Sequence, residues 1–397
     1  MTMDRLTCAL QLAERVAHIA PFHVMELAKQ AAHLEHAGRP IIHMGIGEPD
    51  FTAPEPVVAA AAQAMRDGRT QYTSALGLRQ LREAIAGFYR AQHGLDVAPE
   101  RIIVTAGASA ALVLACAALV NPGDEVLMPD PCYPCNRHFV AAFDGRPVLV
   151  PSGPADRFQL SAEHVEAHWG PRTRGVLLAS PSNPTGTSIA PAELARIARI
   201  ARERGGFTVV DEIYQGLSYD APPVSALAHG DDILVVNSFS KYFNMTGWRL
   251  GWLVVPPALV PDFEKLSQNL FICPSAVAQY AAVACFSPEA LAIYEQRKEE
   301  FRQRRDFIVP ALEKLGFQVP VKPDGAFYVY ADVSAVNHPA RHDSDALTQA
   351  LLHEAEVVLV PGLDFGHADP RRYIRLSYAT SQAKLHEAVE RLARRLA

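Results

Sequence analysis

The chain has 397 residues, of which 49% are hydrophobic and 20% charged, and its formal net charge is −6 at pH 7. This length exceeds the size at which one hydrophobic core stops growing, so we expect two domains. The acidic balance offers no basic surface for nucleic acid, no run approaches the roughly 20 apolar residues of a membrane span, and acids near the start argue against a secretory signal. We expect a globular, cytoplasmic protein that acts on small molecules.

The first 45 residues are helix-like over 23–38 and end in a short predicted strand at 40–45. From Arg101 the pattern of a β-branched strand, a small-residue turn, an apolar helix and a second strand predicts a βαβ unit. Further apolar runs at 175–186, 207–214 and 232–241 predict more strands. Strands that are apolar throughout are typical of a sheet buried on both faces, so we predict an α/β fold with a mostly parallel central sheet covered by helices.

After about Pro274 the pattern changes to a long predicted helix from Pro288, followed by shorter strands near GAFYVYADV and EVVLVPG. We predict a large domain at residues 46–287 and a smaller α+β domain at residues 288–397. The N-terminal segment, residues 1–45, is expected to pack with the small domain.

The cysteines are too scattered for a disulfide framework, and we expect all of them to be reduced: Cys8, Cys116, Cys132, Cys135, Cys273 and Cys285. Cys132 and Cys135 form a C-x-x-C pair, but no second ligand pair accompanies them. We interpret this spacing as chance and predict no metal site.

Polar residues at the ends of buried strands are the candidates for chemistry, because ligands of open α/β sheets bind outside the carboxyl ends of the strands. In TAGASAAL, Ala108 and Ser109 lead from a strand into a helix, where free N–H groups suit an anion, although a turn selected for packing explains the same residues. In SPSNPTG, Asn183 presents an amide within a turn. Asp211 ends an apolar strand, where a carboxylate either has a cationic partner or caps the next segment, and Tyr214 follows it.

Lys241 follows another buried strand, in SFSKYFNMTGWRLGW. Burial lowers the pKa of a lysine, and a neutral amine is a nucleophile toward carbonyls, although a lysine snorkelling at a strand end is the alternative. Ser238 and Ser240 flank it, and Arg249 is close enough in sequence to bind a dianion beside it.

A single ligand would account for the polar residues at all four strand ends. A pyridinium cofactor needs a lysine for its aldehyde, a carboxylate for its ring nitrogen, hydrogen bonds to its phenolic oxygen and an anion cup for its phosphate. We assign these in turn to Lys241, Asp211, the pair Asn183 and Tyr214, and the group Ala108, Ser109, Ser238, Ser240 and Arg249.

From about Ile42 to the C-terminus the sequence resembles the pyridoxal-phosphate-dependent aminotransferases of class I/II, fold type I, in the aspartate aminotransferase superfamily. The resemblance rests on the motifs GEPDF, YTSALGLRQLREAI, TAGASAAL, PDPCYP, SNPTG, DEIY, SFSKYFNMTGWRLGW and YIRLSYA. It implies pyridoxal 5'-phosphate as cofactor, bound by residues 46–287 and held by Lys241 as an internal aldimine. It also implies that Lys241 serves as acid and base and that Asp211 keeps the ring nitrogen protonated.

The resemblance assigns further residues. Tyr133 is similar to the aromatic residue that stacks on the ring, and Tyr72 to a phosphate contact donated by the neighbouring subunit of a homodimer. Arg375 in YIRLSYA resembles the clamp for the substrate α-carboxylate, with Gly47 and Asn183 in contact with the substrate. A surface arginine on an edge strand is the alternative for Arg375.

The expected reaction is ping-pong transfer of an amino group from an L-amino acid to a 2-oxo acid, with donor and acceptor open. Ser109 stands where some aspartate-using relatives carry a lysine, which argues against one route to a second carboxylate. Another basic residue, such as Arg15 or Arg137, could replace that lysine, so glutamate stays open as the amino donor. A carbon–sulfur β-lyase or another eliminating enzyme would use the same residues. A regulatory module that binds the cofactor without turnover is a remote alternative, because the short segment before GEPDF and the acidic charge argue against a DNA-binding domain.

Overall fold

The computed structural model describes residues 11–19, 21 and 23–396. Its helices are α1 (His23–His36), α2 (Glu55–Arg66), α3 (Arg79–His93), α4 (Ala108–Leu119), α5 (Pro134–Ala142), α6 (Ala162–His168), α7 (Pro191–Glu203), α8 (Val260–Leu270), α9 (Ala276–Val283), α10 (Pro288–Lys314), α11 (Ser344–Glu354) and α12 (Gln382–Leu396). Its strands are β1 (Ile42–His43), β2 (Ile102–Thr105), β3 (Glu125–Asp130), β4 (Arg146–Pro151), β5 (Thr173–Ala179), β6 (Phe207–Asp211), β7 (Leu234–Ser238), β8 (Gly251–Val254), β9 (Tyr328–Asp332), β10 (Val357–Val358), β11 (Val360–Pro361) and β12 (Tyr373–Ser377).

A seven-stranded sheet with the order β2-β8-β7-β6-β5-β3-β4 carries the strand ends singled out above. Only β8 runs antiparallel to its neighbours β2 and β7, so the prediction of a mostly parallel sheet is confirmed. The strand order brings β2 to one edge, away from β3, although the two are consecutive in the chain. The carboxyl ends of β2, β5, β6 and β7 therefore lie along one side of the sheet.

Both faces of this sheet are covered, which explains why its strands lack alternating polarity. Successive side chains belong to two different apolar clusters: Val210 packs in one, with residues of α7, and Val209 packs in the other, with residues of α4. Leu178 and Leu177 divide between the same two clusters. A strand buried on both sides needs apolar residues at every position.

Smaller sheets lie at the other end of the molecule. β12 is flanked by the antiparallel strands β11 and β9, and β1 pairs in parallel with β10, so that Ile42 lies opposite Val357. The N-terminal segment therefore contacts the C-terminal part of the chain. The domain boundary at residue 288 stays a prediction.

Cys8 and the other residues of 1–10 lie outside the described part of the chain, within which the remaining cysteines are free thiols. In that part no single helix has the length and apolar composition of a membrane span. One pair of helices, Ala276–Phe286 with Pro288–Lys314, has this length and composition when the two are taken together, but the pair is bent by 81°.

The segment between β1 and α2 is tied to α10 by a buried arginine. The side chain of Arg304 is 1% exposed, and its guanidinium donates to both carboxylate oxygens of Asp50 at 2.7 and 3.0 Å and to Glu300 at 2.5 Å. The same guanidinium lies 5.1 Å from the centroid of the Phe51 ring. These contacts fix the residues that follow Gly47.

We predict that Asp50→Ala lowers the free energy of unfolding by about 2–3 kcal/mol, because it leaves the buried Arg304 guanidinium with Glu300 as its remaining acid. Asp262→Ala is the control, since its partner Lys265 lies at 2.9 Å but is 68% exposed, and there we expect a loss of about 0–1 kcal/mol. Urea denaturation followed by tryptophan fluorescence measures both variants. Equal losses would contradict the role of the buried pair.

Candidate active site

The carboxyl ends of the parallel strands open into a cavity of about 510 Å³. Tyr72 lies outside this cavity and is 82% exposed, so its contact across a subunit interface stays a prediction. All of the other site residues predicted from the sequence line the cavity: Gly47, Ala108, Ser109, Tyr133, Asn183, Asp211, Tyr214, Ser238, Ser240, Lys241, Arg249 and Arg375.

One end of the cavity is built from the start of α4 and the loop after β7. Gly107 has a φ of +84°, and a β-carbon added there would lie 2.6 Å from Nη2 of Arg249. The hydroxyls of Ser238 and Ser240 lie 2.9 Å apart, and Arg249 Nη1 donates to Ser240 Oγ at 3.4 Å. The guanidinium of Arg249 and the positive end of the α4 dipole lie side by side. No carboxylate of the described residues pairs with Arg249. An anion fits between this guanidinium and the start of α4.

Lys241 stands three residues beyond the end of β7 and faces the cavity. Its Nζ donates to the carbonyl of Gly47 at 2.5 Å and lies 5.8 Å from the centroid of the Tyr214 ring. Burial lowers the pKa of Lys241 to about 8, although the nearby Glu48 carboxylate opposes this shift. A neutral amine is therefore accessible in mildly alkaline solution.

Asp211 is the last residue of β6 and is buried. Its Oδ1 accepts from the N–H of Ile213 at 3.0 Å. The carboxylate thus bonds to the backbone of the segment that follows β6, as the capping alternative expected. The carboxyl also lines the cavity, and among the described residues no cation forms an ion pair with it. Burial raises the pKa of Asp211 to about 6, while the Ile213 N–H and the charge of Lys241 oppose this rise. A cationic ligand group would satisfy this acid.

Arg375 lies in the middle of β12, between β11 and β9, so the alternative of a surface arginine on an edge strand is wrong. The residue is 4% exposed. Its Nη1 donates to Asn183 Oδ1 at 2.9 Å and its Nη2 to the carbonyl of Gly45 at 2.5 Å, while the rings of Tyr328 and Phe365 lie 4.6 and 4.9 Å from the guanidinium carbon. Its buried Nε has no hydrogen-bond partner within the described residues. A carboxylate ligand would supply the missing negative charge.

Several residues of the cavity wall could not be recognised from the sequence pattern. Tyr328, in β9, is fully buried and its Oη lies 2.8 Å from that of Tyr214, but in the sequence it is one aromatic residue in an apolar strand. Phe365 and Met25 also line the cavity from distant parts of the chain. Other lining residues without an assigned role do lie within the quoted motifs: Glu48, Leu112, Pro134, Ile213 and Thr246.

The suggested substitutes for a lysine at position 109 do not reach the cavity. Arg15 pairs with Asp144 at 3.3 Å, and Arg137 donates to the backbone carbonyl of Asp364 at 3.0 Å. Neither arginine lines the cavity that holds Lys241. The expectation that one of them replaces that lysine is therefore not supported by this arrangement.

Residues 39–392 match the family model described as aminotransferase class I and II. The chain belongs to this family. It is 40% identical over 378 residues to a valine–pyruvate aminotransferase of Mycobacterium tuberculosis, covering 95% of this chain and 96% of the relative. It is 36% identical to an aspartate aminotransferase of Geobacillus stearothermophilus, covering 97% and 98%. A crystal structure of an aminotransferase from Mycobacterium tuberculosis superposes with a TM-score of 0.92 at 39% identity, covering 97% of this chain and 99% of the other.

The resemblance to class I/II aminotransferases is thus confirmed, and with it the fold type I architecture. Members of this family depend on pyridoxal phosphate. The aminotransferase described here has residues that fit this cofactor: an amine of lowered pKa at Lys241, an unpaired acid at Asp211, and Arg249 beside a helix N-terminus.

We predict that, in the cofactor-free aminotransferase, Lys241 reacts with a small aldehyde plus cyanoborohydride at a rate that rises with a midpoint near pH 8. Burial disfavours its ammonium form, so the reactive neutral amine is present above that pH and lost below it. Peptide mass spectrometry follows the modification, and exposed lysines of the same sample, with an ordinary pKa of about 10.4, are the reference. A Lys241 profile that coincides with this reference would contradict the effect of burial.

Proposed function

We propose that this aminotransferase moves the amino group of an L-amino acid to a 2-oxo acid in two half-reactions that share one site. The observation that carries this proposal is that Lys241, an amine of lowered pKa, and Arg375, a buried guanidinium without an acid partner among the described residues, line one cavity. The relatives named above act on different amino acids, valine and aspartate, so membership in the family leaves the donor open.

The cofactor site proposed here uses the four strand ends. Lys241 would bond to the aldehyde carbon, Asp211 would pair with the ring nitrogen, and the start of α4 with Arg249 would bind the phosphate, together with Ser109, Ser238 and Ser240. Tyr133 would stack on the ring, and Asn183 and Tyr214 would donate to the phenolic oxygen. When bound, pyridoxal phosphate supplies an aldehyde for the amino group and a ring that takes up the electron pair left by the departing Cα proton.

Arg375 would bind the α-carboxylate of the substrate through two parallel hydrogen bonds. Asn183 and Gly45 accept from its two terminal nitrogens, and the rings of Tyr328 and Phe365 lie close to the guanidinium. These contacts restrict its rotation, so that the bound amino acid takes one orientation. Gly47, in the segment between β1 and α2, would contact the same carboxylate.

Lys241 would then act as acid and base toward the Cα proton of the substrate. Its pKa of about 8 is close to that of a good acid–base catalyst at neutral pH, because such a group must both accept and release a proton. The carbonyl of Gly47, 2.5 Å from Nζ, holds the amine within the cavity.

We further propose a homodimer, in which Tyr72 contacts the cofactor phosphate of the neighbouring subunit. The family is commonly dimeric, and the exposure of Tyr72 in the single chain leaves its ring free for such a contact.

The first test follows the cofactor spectrum of the holoenzyme as single amino acids are added. We expect conversion to the amine form of the cofactor, and its reversal by a 2-oxo acid. In Lys241→Ala we expect retained cofactor binding without a covalent bond, so that borohydride no longer fixes the cofactor to the protein, whereas Lys265→Ala, at an exposed site, behaves as the parent. Failure of every amino acid, or release of pyruvate and ammonia from cystathionine or cysteine without a 2-oxo acid, would contradict amino transfer.

The second test concerns Arg375→Lys. We expect KM for the amino acid to rise about 10- to 100-fold, because an ammonium cannot form the two parallel hydrogen bonds that a guanidinium forms, and a hydrogen bond to a charged group contributes about 1.5–3 kcal/mol. Arg302→Lys, at a 41% exposed position of α10, is the control. Steady-state kinetics measure both, and an unchanged KM in Arg375→Lys would exclude the role assigned to it.

A further inference from the structure

The helix α1 forms a wall of the cavity although it belongs to none of the motifs discussed above. Val24, Met25 and Ala28 line the cavity together with Ile46 and Phe365. Met25 and Ile46 are 55% and 44% exposed, an uncommon position for two large apolar side chains next to buried charges. Such side chains gain stability when an apolar group covers them.

The position of α1 is set by one buried acid from a distant part of the chain. Both carboxylate oxygens of Asp364, which is 3% exposed, accept from the first N–H groups of the helix, those of His23 at 2.7 Å and Val24 at 2.9 Å. These N–H groups have no partner within the helix, and the negative charge suits the helix dipole. Asp364 precedes Phe365, whose ring lies near Arg375, so one short loop positions both α1 and the guanidinium.

The charges of the cavity wall also disfavour an acidic side chain on the substrate. Among the described residues that line it, the cations are Lys241, Arg249 and Arg375, and each has a proposed role toward the cofactor or the α-carboxylate. The carboxylates of the wall without a proposed role toward the ligands are those of Glu48 and Asp364. A second carboxylate on a substrate would find no free cation there and would be repelled by these acids.

We propose that α1 is the side-chain subsite of this aminotransferase and that it selects neutral amino acids with apolar side chains, while Asp364 is the positioning residue that holds the helix in place. This inference rests on the proposed amino transfer and adds the class of donor. The apolar side chain would pack against Met25, Val24 and Ile46, with its α-carboxylate on Arg375.

The test compares leucine and valine with aspartate and glutamate in the holoenzyme half-reaction. We expect kcat/KM at least about tenfold higher for the apolar pair. Met25→Arg should shift the ratio of aspartate to leucine by at least about tenfold toward aspartate, because it adds a cation to the apolar wall. Met65→Arg is the matched control: Met65 is also 55% exposed but lies on α2, outside the cavity, and we expect an unchanged ratio.

Asp364 is tested through the split between KM and kcat. In Asp364→Ala we expect KM for leucine to rise about tenfold with kcat within about twofold and the cofactor spectrum unchanged, because the helix loses the acceptors for two N–H groups. Asp364→Asn keeps one acceptor and should recover part of the affinity. A fall in kcat with constant KM would overturn the positioning role.

The outcomes separate the two proposals. Conversion by no amino acid would overturn amino transfer and this inference with it. Conversion by aspartate as fast as by leucine, or a ratio in Met25→Arg equal to that in Met65→Arg, would overturn the apolar subsite alone and would indicate that a cation for acidic donors comes from elsewhere, such as a partner subunit.

Discussion

The structure depends on keeping charged groups in one cavity without ion-pair partners. Within the described residues, Lys241, Asp211 and Arg375 face the same space, and no opposite charge of the chain pairs with any of them. Burial makes this costly, and it shifts the pKa of Lys241 down and that of Asp211 up. Only a framework that prevents the cavity from collapsing can hold such an arrangement.

That framework is the doubly covered sheet together with the segment between β1 and α2. The parallel strands deliver Asp211 and Lys241 from one side, and β12, central in its own sheet, delivers Arg375 from the other. The segment from β1 to α2 runs between them and is held by Arg304 through Asp50. The cavity therefore lies where three separate parts of the chain meet, which explains why so much of its wall comes from residues far apart in sequence.

Much of the site was predictable because its polar residues stand at the ends of apolar strands. Asp211, Lys241 and Asn183 interrupt otherwise buried runs, and the direction of parallel strands brings such ends together. The strand order was not predictable in the same way, since β2 and β3 are consecutive and yet separated in the sheet.

Contacts between distant segments were also beyond the reach of sequence patterns. The hydrogen bonds from His23 and Val24 to Asp364 join positions 341 and 340 residues apart. The sequence around an aspartate in a loop does not indicate which distant helix it caps. Arg15 and Arg137 show the same effect, because their charge made them candidates, whereas their partners, Asp144 and the carbonyl of Asp364, lie 129 and 227 residues away in the sequence.

The backbone that follows β1 contacts two of the charged side chains in the cavity. The carbonyl of Gly45 accepts from Arg375 and that of Gly47 accepts from Lys241, so one extended stretch of backbone touches both the proposed anchor for the incoming acid and the amine. Residues 45–47 therefore border both charged groups, so a change in the position of this backbone would alter the surroundings of the guanidinium and of the amine together.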